Sequence, residues 1–220
     1  MTTLQLIDNT IPQLQIHDTL SKALQLMNDF KLTHLPVVSN EKFLGLISEE
    51  DLLDEENEKV TIGFFQNDLI PAAVNSDQHF LKAVSICNIY QTNVIPVINE
   101  NNELMGAIRG FALLTALGNF CGANEYGALV VMQMERTRFA ISEINSIVES
   151  DGAIILHLNI TPLPSSELLE VSLQINKKEI ATIIATFERY EYSVTYYSGE
   201  ELFENDIKSN YQNLMNYLDI

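Results

Sequence analysis

Two six-residue stretches decide the fold: Thr33-His34-Leu35-Pro36-Val37-Val38 and Asn93-Val94-Ile95-Pro96-Val97-Ile98, which align at an offset of 60. Each is a short apolar run with a proline at the same place. The match extends in both directions. Upstream, Lys22-Ala23 recurs as Lys82-Ala83 at 60, and Ile11-Pro12 as Ile70-Pro71 and Asp18 as Asp77 at 59. Downstream, Phe43-Leu44-Gly45-Leu46-Ile47 matches Leu104-Met105-Gly106-Ala107-Ile108 at 61. The chain therefore begins with a tandem repeat, and single insertions fall where loops tolerate them.

Each copy has the same grammar. An amphipathic helix places Leu20, Ala23, Leu24, Met27 and Phe30 at a 3.6-residue period, matched by Phe80, Ala83, Val84, Cys87 and Tyr90. A strand over Leu35–Val38, a polar turn Ser39-Asn40-Glu41-Lys42 and a strand over Phe43–Ile47 make a hairpin signal. A second helix starts at Ser48 in the first copy and near Gly110 in the second. Two β-α-β-β-α units of this size bury little surface alone and are expected to pack as one pseudo-twofold module. The repeats are assigned to residues 1–60 and 61–117.

Beyond a glycine-punctuated linker at 118–126 the pattern changes. Strands are expected over Ala128–Met134, Ala153–Ile160 and Tyr192–Tyr197. Between Leu168 and Ile175 polar and apolar residues alternate, as in a half-buried strand. Helices are read from the stripe Phe139, Ile141, Ile144, Ile147 and Val148, and over Ile180–Phe187. The order β-α-β-β-α-β over 127–199 is ferredoxin-like, and a tail helix is expected within 200–220. The fold class is α+β.

Composition bounds the function. Of 220 residues 46% are hydrophobic, and 12 Lys and Arg stand against 30 Asp and Glu, a net charge of −18. Such a charge repels nucleic acid and anionic lipid surfaces. No apolar run approaches a membrane span, and the N-terminus lacks the pattern of a signal peptide, so a cytoplasmic protein is expected. Cys87 and Cys121 have no CxxC partner and read as small core residues. No metal site is expected. His17, His34, His79 and His157 show no ligand spacing, and the seven acids within residues 49–58 lack the order of a calcium loop. Phosphate-loop and nucleophile-elbow motifs are absent, so the protein is expected not to be an enzyme.

The most informative stretch is Gly45-Leu46-Ile47-Ser48-Glu49-Glu50-Asp51. By itself Ser-x-x-Asp ahead of a helix is a capping box. Within the tandem repeat, residues 5–117 resemble a pair of CBS domains, the regulatory module named after cystathionine β-synthase. In that family a G-h-h-[ST]-x-x-D segment commonly binds adenosine nucleotides, and Gly45, Ser48 and Asp51 occupy its diagnostic positions. The resemblance implies an adenosine nucleotide of the AMP, ADP, ATP or S-adenosylmethionine class as regulatory ligand. A carboxylate at Asp51 can accept both ribose hydroxyls, each bond contributing about 1.5 to 3 kcal/mol. The Ser48 hydroxyl and free backbone N–H groups suit phosphate. By the same resemblance His34, Leu35 and Pro36 would lie beside the base, with Ile11 and Pro12 as the other wall. The second repeat departs from the pattern: Arg109 replaces Ser or Thr, and Ala112 replaces Asp. At most one ordinary nucleotide site per chain is expected. Arg109 could lend its charge to a phosphate in the first cleft, or simply face solvent.

Residues 127–199 resemble an ACT domain in element order and size, without the glycine those domains place after the first strand; Met134-Glu135-Arg136-Thr137-Arg138 stands there. A CBS pair followed by an ACT-like domain is similar to the acetoin-utilisation B type of bacterial protein. The resemblance implies a homodimer, with an unidentified protein partner. The alternative to a nucleotide sensor is a ligand-free dimeric scaffold that docks such a partner.

Overall fold

Residues 1–57, 59–164 and 166–198 are described by a computed structural model, in which the chain divides into two units, Met1–Asn119 and a second from Phe120. The tail helix expected after residue 200 lies outside the described residues.

In the first unit, β1 (Leu14–Gln15), α1 (Leu20–Phe30), β2 (His34–Ser39), β3 (Lys42–Ser48) and α2 (Glu49–Leu53) are followed by β4 (Val74–Asn75), α3 (Phe80–Tyr90), β5 (Val94–Ile98), β6 (Leu104–Arg109) and α4 (Gly110–Phe120). The strands form two three-stranded sheets of like topology, β1-β2-β3 and β4-β5-β6, each with one parallel and one antiparallel pairing. The first hairpin turns more tightly than the expected four-residue loop. Asn40 and Glu41 both take the left-handed conformation, and the strands reach Ser39 and Lys42. Two consecutive positive φ angles match the twist of the flanking strands, so a longer loop is not needed.

One core serves both repeats. Leu20, Ala23 and Met27 of α1 and Phe80, Ala83 and Ile86 of α3 are buried in it with Leu35, Val37, Ile47, Ile95, Val97 and Ile108. Tyr90, expected on the apolar stripe of α3, is exposed at the last position of that helix, and Ile86 takes its place in the core. Cys87 is only half-buried, its thiol donating to the Thr92 carbonyl, and Cys121 is half-buried too.

The repeats also exchange segments. Leu46 and Ile70 trade backbone hydrogen bonds of 2.8 Å in both directions, and the Asp8 N–H donates to the Ala107 carbonyl at 2.8 Å. Each copy's leading segment thus runs beside the other copy's third strand. Glycine permits this approach. A Cβ on Gly45 would lie 2.7 Å from Leu69 Cβ, and one on Gly106 would lie 2.5 Å from Ile7 Cγ2. The hairpin tips close the far end, where Lys42 Nζ meets Glu103 at 2.9 Å and the Asn101 carbonyl at 2.7 Å.

The second unit contains β7 (Ala128–Glu135), α5 (Ile141–Ser150), β8 (Ile155–Pro162), β9 (Leu168–Ile175), α6 (Ala181–Arg189) and β10 (Ser193–Ser198). The sheet order is β10-β7-β9-β8, antiparallel throughout, as the ferredoxin-like element order requires. Alternate residues Leu169, Val171, Leu173 and Ile175 are buried with Val130, Met132, Ile144, Ile147, Ile183 and Phe187. Ile141, assigned to the apolar stripe, is instead exposed at the start of α5, while Phe139 packs on the core from ahead of that helix.

Candidate functional site

The antiparallel register of β2 and β3 sets His34 opposite Ser48 and Pro36 opposite Leu46. Because side chains alternate along a strand, His34 and Pro36 share one face and Leu35 faces the other way. Leu35 is fully buried within the hydrophobic cluster, so of the expected base-lining trio it belongs to the core.

Ser48 is the N-cap of α2. Its hydroxyl accepts from the Asp51 N–H at 3.0 Å and donates to Asp51 Oδ2 at 2.5 Å. Each side chain of the diagnostic pair thus satisfies the other. Glu49, Glu50 and Asp51 fill the first turn of this five-residue helix, a placement its dipole favours.

His34 is buried, at 8% exposure. Burial holds its pKa below the ordinary value, with the nearby Asp51 charge acting in the opposite direction. Its Nδ1 lies 2.9 Å from Thr33 Oγ1, and that hydroxyl donates to Asn93 Oδ1 at 3.1 Å. A hydroxyl has one hydrogen, so with Asn93 taking it the imidazole donates from Nδ1–H, and Nε2 is left as an acceptor. Thr33 and Asn93 are the repeat-equivalent residues ahead of β2 and β5, and they meet: the Thr33 N–H also donates to Asn93 Oδ1 at 3.0 Å, and Asn93 Nδ2 donates to the Lys31 carbonyl at 3.1 Å. Neither was among the expected site residues. The signal available in the sequence was their equivalence at an offset of 60.

The neutral imidazole sets a pH dependence. The unfolded chain protonates His34 near its ordinary value of 6.5, before the native state does, so its contribution to stability is whole above that pH and declines below it. Thermal melts from about pH 7.5 to about pH 5.5 should fall more steeply for wild type than for His34→Asn. Parallel curves would show that His34 does not titrate between the states.

On the opposite wall, where Ile11 and Pro12 were expected, the Ile-Pro pair whose isoleucine bonds to Leu46 is Ile70-Pro71, and Ile11 packs against the core shared by both repeats. The segment exchange carries the first copy's leading segment to the second sheet, where Asp8 bonds to Ala107. Arg109 goes with it. Its Nε donates to Asp8 Oδ2 at 2.9 Å and its Nη1 to the Phe30 carbonyl at 3.2 Å, so the guanidinium is engaged by these two acceptors and not by Ser48 or Asp51. The Thr10 hydroxyl, the Thr10 N–H and Arg109 together draw the Asp8 pKa down to about 2. Among the described residues no group of three His, Cys, Asp or Glu is placed to hold a metal ion, and no helix is long and apolar enough to cross a membrane.

Residues 6–58 match the family model described as CBS domain. A CBS domain pair/ACT domain protein from Thermotoga maritima is 22% identical, over 55% of this chain and 98% of its own, with a TM-score of 0.50. A Vibrio cholerae protein assigned to acetoin utilization is 19% identical over 56% and 95%, with a TM-score of 0.46. The protein CBSX2 in complex with AMP is 18% identical over 54% and 97%, with a TM-score of 0.45. A comparison with curated proteins finds no match.

Proposed function

We propose that the first unit, which carries a CBS domain over residues 6–58 and repeats its architecture in a second copy, is a regulatory module that senses an adenosine nucleotide in the cleft of the first repeat. The observation that carries this reading is the gathering of Gly45, Ser48 and Asp51 with the buried, neutral His34 at the end of one hairpin. Asp51 would exchange the Ser48 hydroxyl for the ribose hydroxyls. His34 Nε2 would accept from the exocyclic amine of adenine, and Pro36 and Ile70 would flank the ring. The role is regulatory and not catalytic, and the chain acts as a homodimer.

The cleft also ranks its ligands. Glu49, Glu50, Asp51 and Asp54 lie within or just after α2, so each added phosphate meets like charge. AMP and S-adenosylmethionine should therefore bind more tightly than ATP, with the gap narrowing as salt screens the repulsion. The test is a thermal-shift and titration series with AMP, ADP, ATP and S-adenosylmethionine at two ionic strengths. A ligand at a hundred times its Kd adds about 2.7 kcal/mol, a shift of several degrees. If no adenosine compound raises the melting point, the closed Ser48–Asp51 cap is the finished state of the cleft. The second reading, a dimeric scaffold docking a protein partner, then stands. It is favoured by the exposure of Phe111 and Leu114 on α4, a helix without a charged residue.

A further inference from the structure

Among the described residues, the sheet of the second unit is covered by helices on one side only. Val130, Met132, Val171 and Leu173 are buried with α5 and α6, and the alternation that turns them inward turns Leu129 and Val131 of β7 and Ser172 and Gln174 of β9 to the other face. The register sets Tyr196 of β10 beside Val131 and Ser198 beside Leu129. Leu129, Val131 and Tyr196 therefore form an apolar strip along the β7–β10 side of the open face. Leu129 and Val131 are half-buried, and Tyr196 is 53% exposed. Toward β8 the same face is polar or already engaged: His157, paired with Gln174, meets the Phe120 ring edge to face with centroids 6.1 Å apart.

We propose that this strip is the seat of the chain's own C-terminal segment, residues 203–218, docked on it as a helix. The sequence of the segment sets Phe203, Ile207, Tyr211, Leu214 and Leu218 at intervals of four and three, within an arc of about 80° on a helix, with Asn205, Ser209, Gln212 and Asn216 opposite. A lone helix of this length is marginal in water and takes most of its stability from what its apolar side packs on. The exit of the chain names the surface. β10 ends at Ser198, on the edge of the sheet and at one end of the strip, and residues 199–202 span at most about 13 Å, enough to turn onto the open face. The opposite face is taken, since Ile183 and Phe187 of α6 already fill it. Size agrees as well: a helix over 203–218 is about 24 Å long, and the outer strands of a four-stranded sheet lie about 14 Å apart. Charge agrees at the point of exit. Glu200 and Glu201 follow β10 at the end of the sheet where β9 leads into Lys177 and Lys178, the Lys178 ammonium lying 4.8 Å from the centroid of the Tyr126 ring. Docking would close the second side of the sheet, so any other chain seeking Leu129 and Val131 must first displace the segment. The assignment uses no residue of the first unit and is independent of what the first cleft binds.

Nuclear Overhauser contacts in the methyl-labelled full chain read the docking directly. Contacts are expected from the methyls of Leu129 and Val131 to those of Ile207 and Leu214, all within one chain. In a mixture of labelled and unlabelled chains, contacts found only across chains would put a second copy's segment on the face and overturn the proposal. So would a segment protected from amide exchange without any contact to Leu129 or Val131. Leu214→Asp is expected to speed amide exchange over residues 207–218 about tenfold and to shift the Val131 methyl resonances, whereas Asn216→Asp, on the polar side, should do neither. Equal effects of the two substitutions, or no effect of Leu214→Asp, also overturn it.

Discussion

Asp51→Ala is expected to weaken AMP binding about a hundredfold, while leaving the stability of the unliganded protein within about 1 kcal/mol of wild type. Two charge-assisted bonds to the ribose hydroxyls, each about 1.5 to 3 kcal/mol, replace the single bond to Ser48 that Asp51 gives up, for a net near 2.7 kcal/mol. The stability cost is smaller. Alanine removes the carboxylate half of the cap, but the Ser48 hydroxyl still accepts the residue 51 N–H, which is the part of the cap that satisfies the backbone. A titration that finds the variant and wild type equal in affinity removes Asp51 from the site. A variant that loses affinity only in proportion to lost stability would show Asp51 to be a cap and nothing more. Asp51→Asn separates the two: it keeps the shape and an acceptor but loses the charge, and should fall between wild type and alanine.

Phe187→Ala should cost the second unit about 3 to 5 kcal/mol. The ring is fully buried, and it meets Tyr192 edge to face with centroids 5.8 Å apart. Truncation leaves a cavity between α6 and the sheet and strips packing from Tyr192. The Tyr192 hydroxyl donates to Glu143 Oε2 at 2.5 Å, and burial together with that carboxylate pushes its pKa up to about 12. Urea unfolding followed by circular dichroism should show the second unit's transition moving to lower denaturant. The first unit, whose core is a separate cluster, should keep its midpoint. A common shift of both transitions would show that the units unfold as one.

Much of the first unit is written in local pattern. The offset of 60 placed α1 over α3 and β2 over β5, because residues that repeat in order and spacing meet the same neighbours. The alternation from Leu168 to Ile175 identified the buried face of β9 residue by residue. The same period of two also separates Leu35 from His34 and Pro36, so its place in the core was legible from the strand itself. Helix ends were less legible. Tyr90 and Ile141 fit an apolar period but sit at termini, where no neighbouring element covers them.

What the sequence by itself determined, then, is the set of elements, the twofold repetition and the Ser48–Asp51 pairing, since all of these depend on residues a few positions apart or on whole segments recurring in order. Which wall faces which cleft was decided by the tertiary structure. Leu46 meets Ile70 and Arg109 meets Asp8, the latter pair 101 positions apart. No periodicity reports such partners. They follow from the exchange of leading segments between the repeats, which depends on two glycines that leave room for the crossing segments and on one core shared by both copies.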